Sequence, residues 1–164
     1  MTATPAARRS RGFTYLLLLL AVALLGLGLA TAGSVWHTTV TRQKERELLW
    51  IGERYRRAIE QYYQNGPAQY PRKLTDLLSD PRKESVTRYL RKLYDDPITG
   101  SSDWGIVKAP DGGIMGVYSR STGRPIKIAA FPPADAAFAN ARSYRDWKFI
   151  YVAPGQQPLA PTPR

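Results

Sequence analysis

The chain has 164 residues, room for about one domain, and carries a formal charge of +11 from 24 basic and 13 acidic side chains. It has no cysteine, so neither a disulfide framework nor a thiolate metal site is available. The length argues against a two-domain enzyme. The basic residues, spread from Arg42 to Arg145 among Glu and Asp, argue against a nucleic-acid partner.

From Phe13 to Val40 no side chain is formally charged, and the run from Leu16 to Leu25 is apolar with no polar face. About 20 such residues at a rise of about 1.5 Å cross the hydrocarbon layer as a helix, so residues 13–36 are predicted to be transmembrane. Arg8, Arg9 and Arg11 precede the run and Arg42, Lys44, Arg46 and Arg54 follow it, so the basic flanks alone leave the orientation open. Ala30-Thr31-Ala32 offers an ordinary signal-peptidase site that would release a soluble domain from Gly33, although the apolar run is longer than such signals need. An uncleaved anchor is a second possibility. The third rests on Arg8-Arg9-Ser10-Arg11-Gly12-Phe13-Thr14, a short basic leader ending in Gly directly before Phe and the apolar run.

That last pattern resembles the prepilin signature of type IV pilins and type II secretion pseudopilins, and it is the reading the residues favour. The resemblance implies that residues 1–12 are a leader, that a prepilin peptidase cuts on the cytoplasmic side after Gly12, and that the new terminal Phe13 is methylated. A glycine at the cut lets the peptidase approach the backbone closely. It also implies a single-pass inner-membrane protein with its N-terminus cytoplasmic and its C-terminal domain periplasmic. The family usually has Glu at the fifth mature position, where this chain has Leu17. In the family that carboxylate would neutralise the terminal amine of a neighbouring subunit inside lipid, where an unpaired charge is expensive. Its absence resembles either a filament-tip subunit or simple divergence. Gly26 with Ala30, and Gly28 with Ala32, lie four apart and offer notches for helix packing in the membrane alongside Leu17, though Gly and Ala are common in any spanning helix.

Beyond His37, an interfacial polar residue with Trp36 as its aromatic companion, residues 37–65 are predicted to continue the helix in amphipathic form. Leu48, Ile51, Tyr55, Ala58, Ile59 and Tyr62 recur at spacings of three and four, one apolar stripe. Glu53 and Arg57 form an i,i+4 pair of favourable order on another face, and no strong breaker occurs before Asn65-Gly66-Pro67. Leu48, Ile51, Tyr55, Ile59 and Tyr62 are therefore expected to pack the helix against a sheet.

Residues 66–153 are predicted to form an α+β domain. Tyr70-Pro71-x-x-Leu74-x-x-Leu77-Leu78 predicts a short helix, and Asp80-Pro81 a second one with Val86, Tyr89, Leu90 and Leu93 on one face. Turns follow at Asp95-Asp96-Pro97 and Thr99-Gly100. Trp104 to Lys108 and Ile114 to Arg120 predict a hairpin around Ala109-Pro110-Asp111-Gly112-Gly113, with further strands over Arg124 to Ala129 and Asp146 to Val152. In the last, Trp147, Phe149 and Tyr151 alternate with Lys148, Ile150 and Val152, so the aromatic face is expected inside. Residues 154–164, rich in proline, are expected to be a disordered tail.

Tyr70-Pro71 and Tyr89-Leu90-Arg91-Lys92-Leu93-Tyr94-Asp95-Asp96-Pro97, with the strand Gly113 to Ser119, are similar to the region after the long helix in G-type, or major, pseudopilins. The resemblance implies a pilin-like fold: a long N-terminal helix, half transmembrane and half amphipathic, packed against a small antiparallel sheet. Major pseudopilins often bind calcium near the C-terminus, but Ser119 to Asp146 contains only Asp135 and Asp146 as acids, and no metal site is carried over. Asp95, Asp96, Asp103 and Asp111 are read as turn and capping residues.

No nucleophile with a base, carboxylate pair, metal cage or phosphate-binding glycine loop can be named, so no catalytic residue, cofactor or small-molecule substrate is expected. The function implied is structural: a pseudopilin-like subunit of a type II secretion system whose partners are other pseudopilins, the inner-membrane secretion platform, the prepilin peptidase and membrane lipid. A minor pilin-like subunit of a type IV pilus or DNA-uptake machine is the alternative.

Overall fold

The computed structural model describes residues 11–155, the side chains of residues 11–12 and 26–37 excepted. Residues 1–10 of the expected leader 1–12, and residues 156–164 of the expected tail 154–164, lie outside the described residues. The backbone divides into two compact units, residues 1–40 and 41–164, and a single helix, α1 (Arg11–Gln64), contributes to both.

In the second unit α1 supplies one wall of the core. Leu48, Ile51, Tyr55, Ala58, Ile59 and Tyr62 are all buried, because their three- and four-residue spacing keeps them on one side of the helix. The helix ends where Asn65 N–H donates to Gln61 O at 2.9 Å and Gly66-Pro67 follow, since proline has no N–H to continue the ladder.

The opposite wall is a three-stranded antiparallel sheet in the order β1 (Gly105–Lys108), β2 (Ile114–Tyr118), β3 (Phe149–Ile150). β1 pairs with β2 from Gly105↔Tyr118 to Lys108↔Ile114, with an irregularity between Val107 and Lys108. Between them the expected hairpin turn closes with Ala109 N–H on Gly113 O at 2.8 Å, and Gly112 takes the left-handed conformation (φ 80°) that a side chain would resist. β3 adds to the other edge of β2 through Gly116↔Ile150 and Val117↔Phe149. Trp147 and Phe149 are fully buried while Lys148 is exposed, as expected, but Ile150, Tyr151 and Val152 are all half-buried, and the strand expected over Asp146 to Val152 shortens to two residues, with Asp146 in a 3-10 turn.

Helix and sheet meet most closely at Gly52. A Cβ there would run into the Phe149 ring, so glycine is what lets β3 lie against the helix. Phe138 stacks on Trp147 with ring centroids 5.7 Å apart and meets Phe149 edge-on at 5.1 Å, extending the aromatic core away from the sheet. Tyr55 fastens a further segment: its hydroxyl accepts from Tyr94 N–H at 3.0 Å, and Trp104 Nε1 donates to the Tyr94 carbonyl at 2.7 Å.

Two expected elements are corrected. The helix after Asp80-Pro81 does not form, because Tyr89 and Leu90 N–H groups both donate to Leu77 O at 2.9 Å instead of to carbonyls one helical turn back. Tyr89 and Leu90 turn inward but Val86 is 72% exposed, so the apparent stripe is not one face. Arg124 to Ala129 is not a strand either, since the amides of Ile126 and Lys127 point at the Glu45 carboxylate instead of a neighbouring strand. The helix expected after Tyr70-Pro71 is a single 3-10 segment, Leu74–Leu77, and two more such segments, Pro133–Phe138 and Tyr144–Asp146, lie where no helix was expected.

Replacing Gly52 with alanine should force the Phe149 ring aside and cost about 1–3 kcal/mol, as overpacking of a filled core does. Thermal unfolding of the full chain in detergent should show the drop, and an unchanged midpoint would mean that the Phe149 contact is not the tight one.

Candidate functional site

In the first unit every described side chain of the apolar run, Phe13 to Leu25, is exposed, with Phe13 70% and Leu17 59% accessible. Apart from Thr14 the run contains only aliphatic, alanine, phenylalanine and tyrosine residues, so the helix presents apolar surface all round. Contiguous apolar surface of this extent is unfavourable in water. Among the described residues no helix is long and apolar enough to cross a membrane. The expected span 13–36 includes residues 26–36, whose side chains are not described. Gly12, Gly26, Gly28, Ala30 and Ala32 fall outside the described side chains in the same way.

The residues expected to join helix to sheet, Leu48, Ile51, Tyr55, Ile59 and Tyr62, lie in one cluster with Val117 of β2 and Phe149 of β3. A residue missed by the apolar pattern belongs with them. Glu45 stands three before Leu48, so it continues the stripe 45, 48, 52, 55, 59, 62, and it is only 2% exposed. Its carboxylate accepts from Ile126 N–H at 2.5 Å, from Lys127 N–H at 3.2 Å and from the Tyr144 hydroxyl at 2.9 Å. Burial, and then the bond to Glu45, push the Tyr144 phenol well above its ordinary value, keeping it a donor. Three donors from two distant segments thus converge on one helical carboxylate. A lone acid in phase with an apolar stripe was the signal available in the sequence.

The other buried acids are also engaged. The Asp80 side chain receives Arg82 Nε and Nη2, each at 2.8 Å, and the Tyr89 hydroxyl at 3.0 Å. Arg82 continues to the Tyr62 carbonyl at 2.8 Å and lies over the Tyr62 ring at 3.6 Å. This fork, more than any other cause, lowers the Asp80 carboxyl from 3.8 to about 2. Asp96 organises the turn around Pro97, accepting from Ile98 N–H at 2.9 Å, Thr99 Oγ1 at 3.0 Å and Ser119 Oγ at 2.6 Å. Asp135 pairs with Arg56 at 2.6 Å, tying the 3-10 segment Pro133–Phe138 to α1. Among the described residues no group of three His, Cys, Asp or Glu is placed to hold a metal ion. Each of these carboxylates accepts from the protein's own donors, an arrangement that fixes loops.

Glu45→Ala should leave two backbone amides and a hydroxyl unpaired and cost about 2–3 kcal/mol, with loss of hydrogen-exchange protection confined first to Ile126 and Lys127. Asp80 sets an acid limit. Since its folded value lies below 3.8, its stabilisation of about 2 kcal/mol is present in full well above that pH and disappears as pH falls from 3.8 to about 2. Acid unfolding of Asp80→Asn should lack that component, and a profile parallel to the unsubstituted chain would remove the fork from the account.

The chain matches no family model, no curated protein and no solved structure.

Proposed function

We propose that the chain is a pseudopilin-like structural subunit of a type II secretion system. In this reading a prepilin peptidase removes residues 1–12 and methylates Phe13. The N-terminal helix then stays in the inner membrane, and the subunit assembles through it into a periplasmic filament or the tip of one. The domain from residue 41 onward lies in the periplasm, and the chain performs no catalysis. Its partners are other pseudopilins and the inner-membrane platform.

The observation that carries the reading is a division of labour along one helix. From Phe13 to Leu25 α1 offers apolar side chains to its surroundings, and from Glu45 to Tyr62 it buries a stripe beneath a small antiparallel sheet. A soluble protein gains nothing from the first part, whereas a subunit that packs by its helix in lipid needs it. Supporting this, the basic leader ends at Gly12 immediately before the apolar run. Buried acids that each receive donors from the protein itself support a scaffold role. Leu17, 59% exposed, presents a methyl-rich surface where a charged residue would need a partner in lipid, so contact with a neighbour at this level is apolar.

Mass spectrometry of the protein purified from membranes of cells that contain a prepilin peptidase should find a mature chain beginning with N-methylated Phe13. A chain beginning at Gly33 and recovered in the soluble fraction, or one retaining residues 1–12, would overturn the assignment.

A further inference from the structure

A groove of about 480 Å³ runs between α1 and the irregular segment 88–91, and its lining includes Arg54 and Arg57 from the helix, Arg88 and Arg91 from the segment, and Trp50 and Glu53. We propose that this groove is a docking site for an acidic peptide segment of a partner protein, one carrying two or more neighbouring carboxylates.

Charge is the first argument. Glu53 is the sole acid in the lining, and it is already taken by Arg56 and by Arg57, whose Nε reaches it at 2.7 Å. Arg54, Arg88 and Arg91 have no carboxylate partner among the described residues, so three arginines without a counter-charge line one concavity. Like charges gathered in this way are unfavourable unless a ligand or counter-ions neutralise them.

Preorganisation is the second. The Arg54 guanidinium lies 4.2 Å from the centre of the Trp50 ring, and Trp50 is itself buttressed edge-on by Tyr94 at 5.6 Å. Trp50 is 49% exposed, an aromatic surface left open beside the arginines. The facing wall is fixed by Tyr89 and Leu90 N–H on Leu77 O and by the Tyr89 hydroxyl on Asp80. Both walls are therefore set before a ligand arrives, which lowers the entropy cost of binding.

The chemistry of the occupant follows. Planar guanidinium forks suit carboxylates bidentately, and an aromatic wall suits the apolar stems between them. A bilayer surface or a nucleic-acid duplex presents phosphates over a broad front, whereas these four arginines line one groove of about 480 Å³. A second copy of this chain is a poor source. Of its own acids only Glu47, Glu84 and Asp95 lack a hydrogen-bond or ion-pair partner among the described residues, and they are far apart in sequence. The segment therefore comes from a different protein, and the inference stands whether or not the chain is processed at Gly12.

The test uses the full chain in detergent micelles and a fluorescein-labelled peptide of alternating Glu and Ser, read by fluorescence anisotropy. Binding should weaken with salt and fall at least about tenfold in the double substitution Arg54→Glu with Arg91→Glu. The same charge change made elsewhere on the surface, Lys108→Glu with Arg142→Glu, should alter it by less than about twofold. Trp50→Ala, which keeps every charge, should also weaken binding, and circular dichroism of each variant should match the parent. Equal losses in the two double variants, or no binding at low salt, would overturn the proposal. So would tighter groove-dependent binding to phosphatidylglycerol vesicles or to single-stranded DNA than to the peptide.

Discussion

The stripe on α1 from Glu45 to Tyr62 is the surface on which the rest of the second unit condenses. Its three strands have four, five and two residues, and a sheet that small has too few pairs to persist alone. What holds it is the apolar area buried between its inner face and the helix, at Val117, Phe149 and Trp147 on one side and Leu48, Tyr55 and Ile59 on the other. Gly52 makes the approach possible by having no side chain where Phe149 must sit.

Around that apolar contact, polar groups set the positions of the long irregular segments. Glu45, Asp80, Asp96 and Asp135 are each buried, and each ties a loop to another part of the domain, Asp135 through Arg56 of α1. Buried carboxylates are costly unless fully hydrogen-bonded, so each one tolerates only the loop conformation that supplies its donors. In a chain without disulfides this gives the loops definite paths. The surplus of arginine and lysine is left mainly on the surface, which explains how a strongly basic protein contains an interior network centred on acids.

The stripe on α1 and the β1–β2 hairpin were legible because each rests on local rules: three- and four-residue periodicity in the first, a Pro-Asp-Gly-Gly turn between apolar runs in the second. The alternation of Trp147 with Lys148 and Phe149 gave the inner face of β3 for the same reason. Residues 86–93 misled because Val86, Tyr89, Leu90 and Leu93 imitate helical spacing, while their backbone is captured by Leu77, a partner no local pattern discloses. The run from Arg124 to Ala129 has strand-like residues, but its amides answer to a carboxylate some 80 positions earlier. At the site, the apolar helix surface was plain from composition. Glu45 was not, because an amphipathic stripe announces itself through apolar residues and a carboxylate in phase with it looks like a solvent-facing position.

The Glu45 carboxylate and the Tyr144 hydroxyl that meets it are 99 positions apart in the chain. A helix near the start of the polypeptide thus holds an unmet demand for donors until nearly the last residues of the domain have been made. Contacts of such long range close late and slowly, because the intervening loop must first lose its freedom. If the domain is exported as proposed, it cannot complete its fold while the C-terminal third is still being threaded across the bilayer.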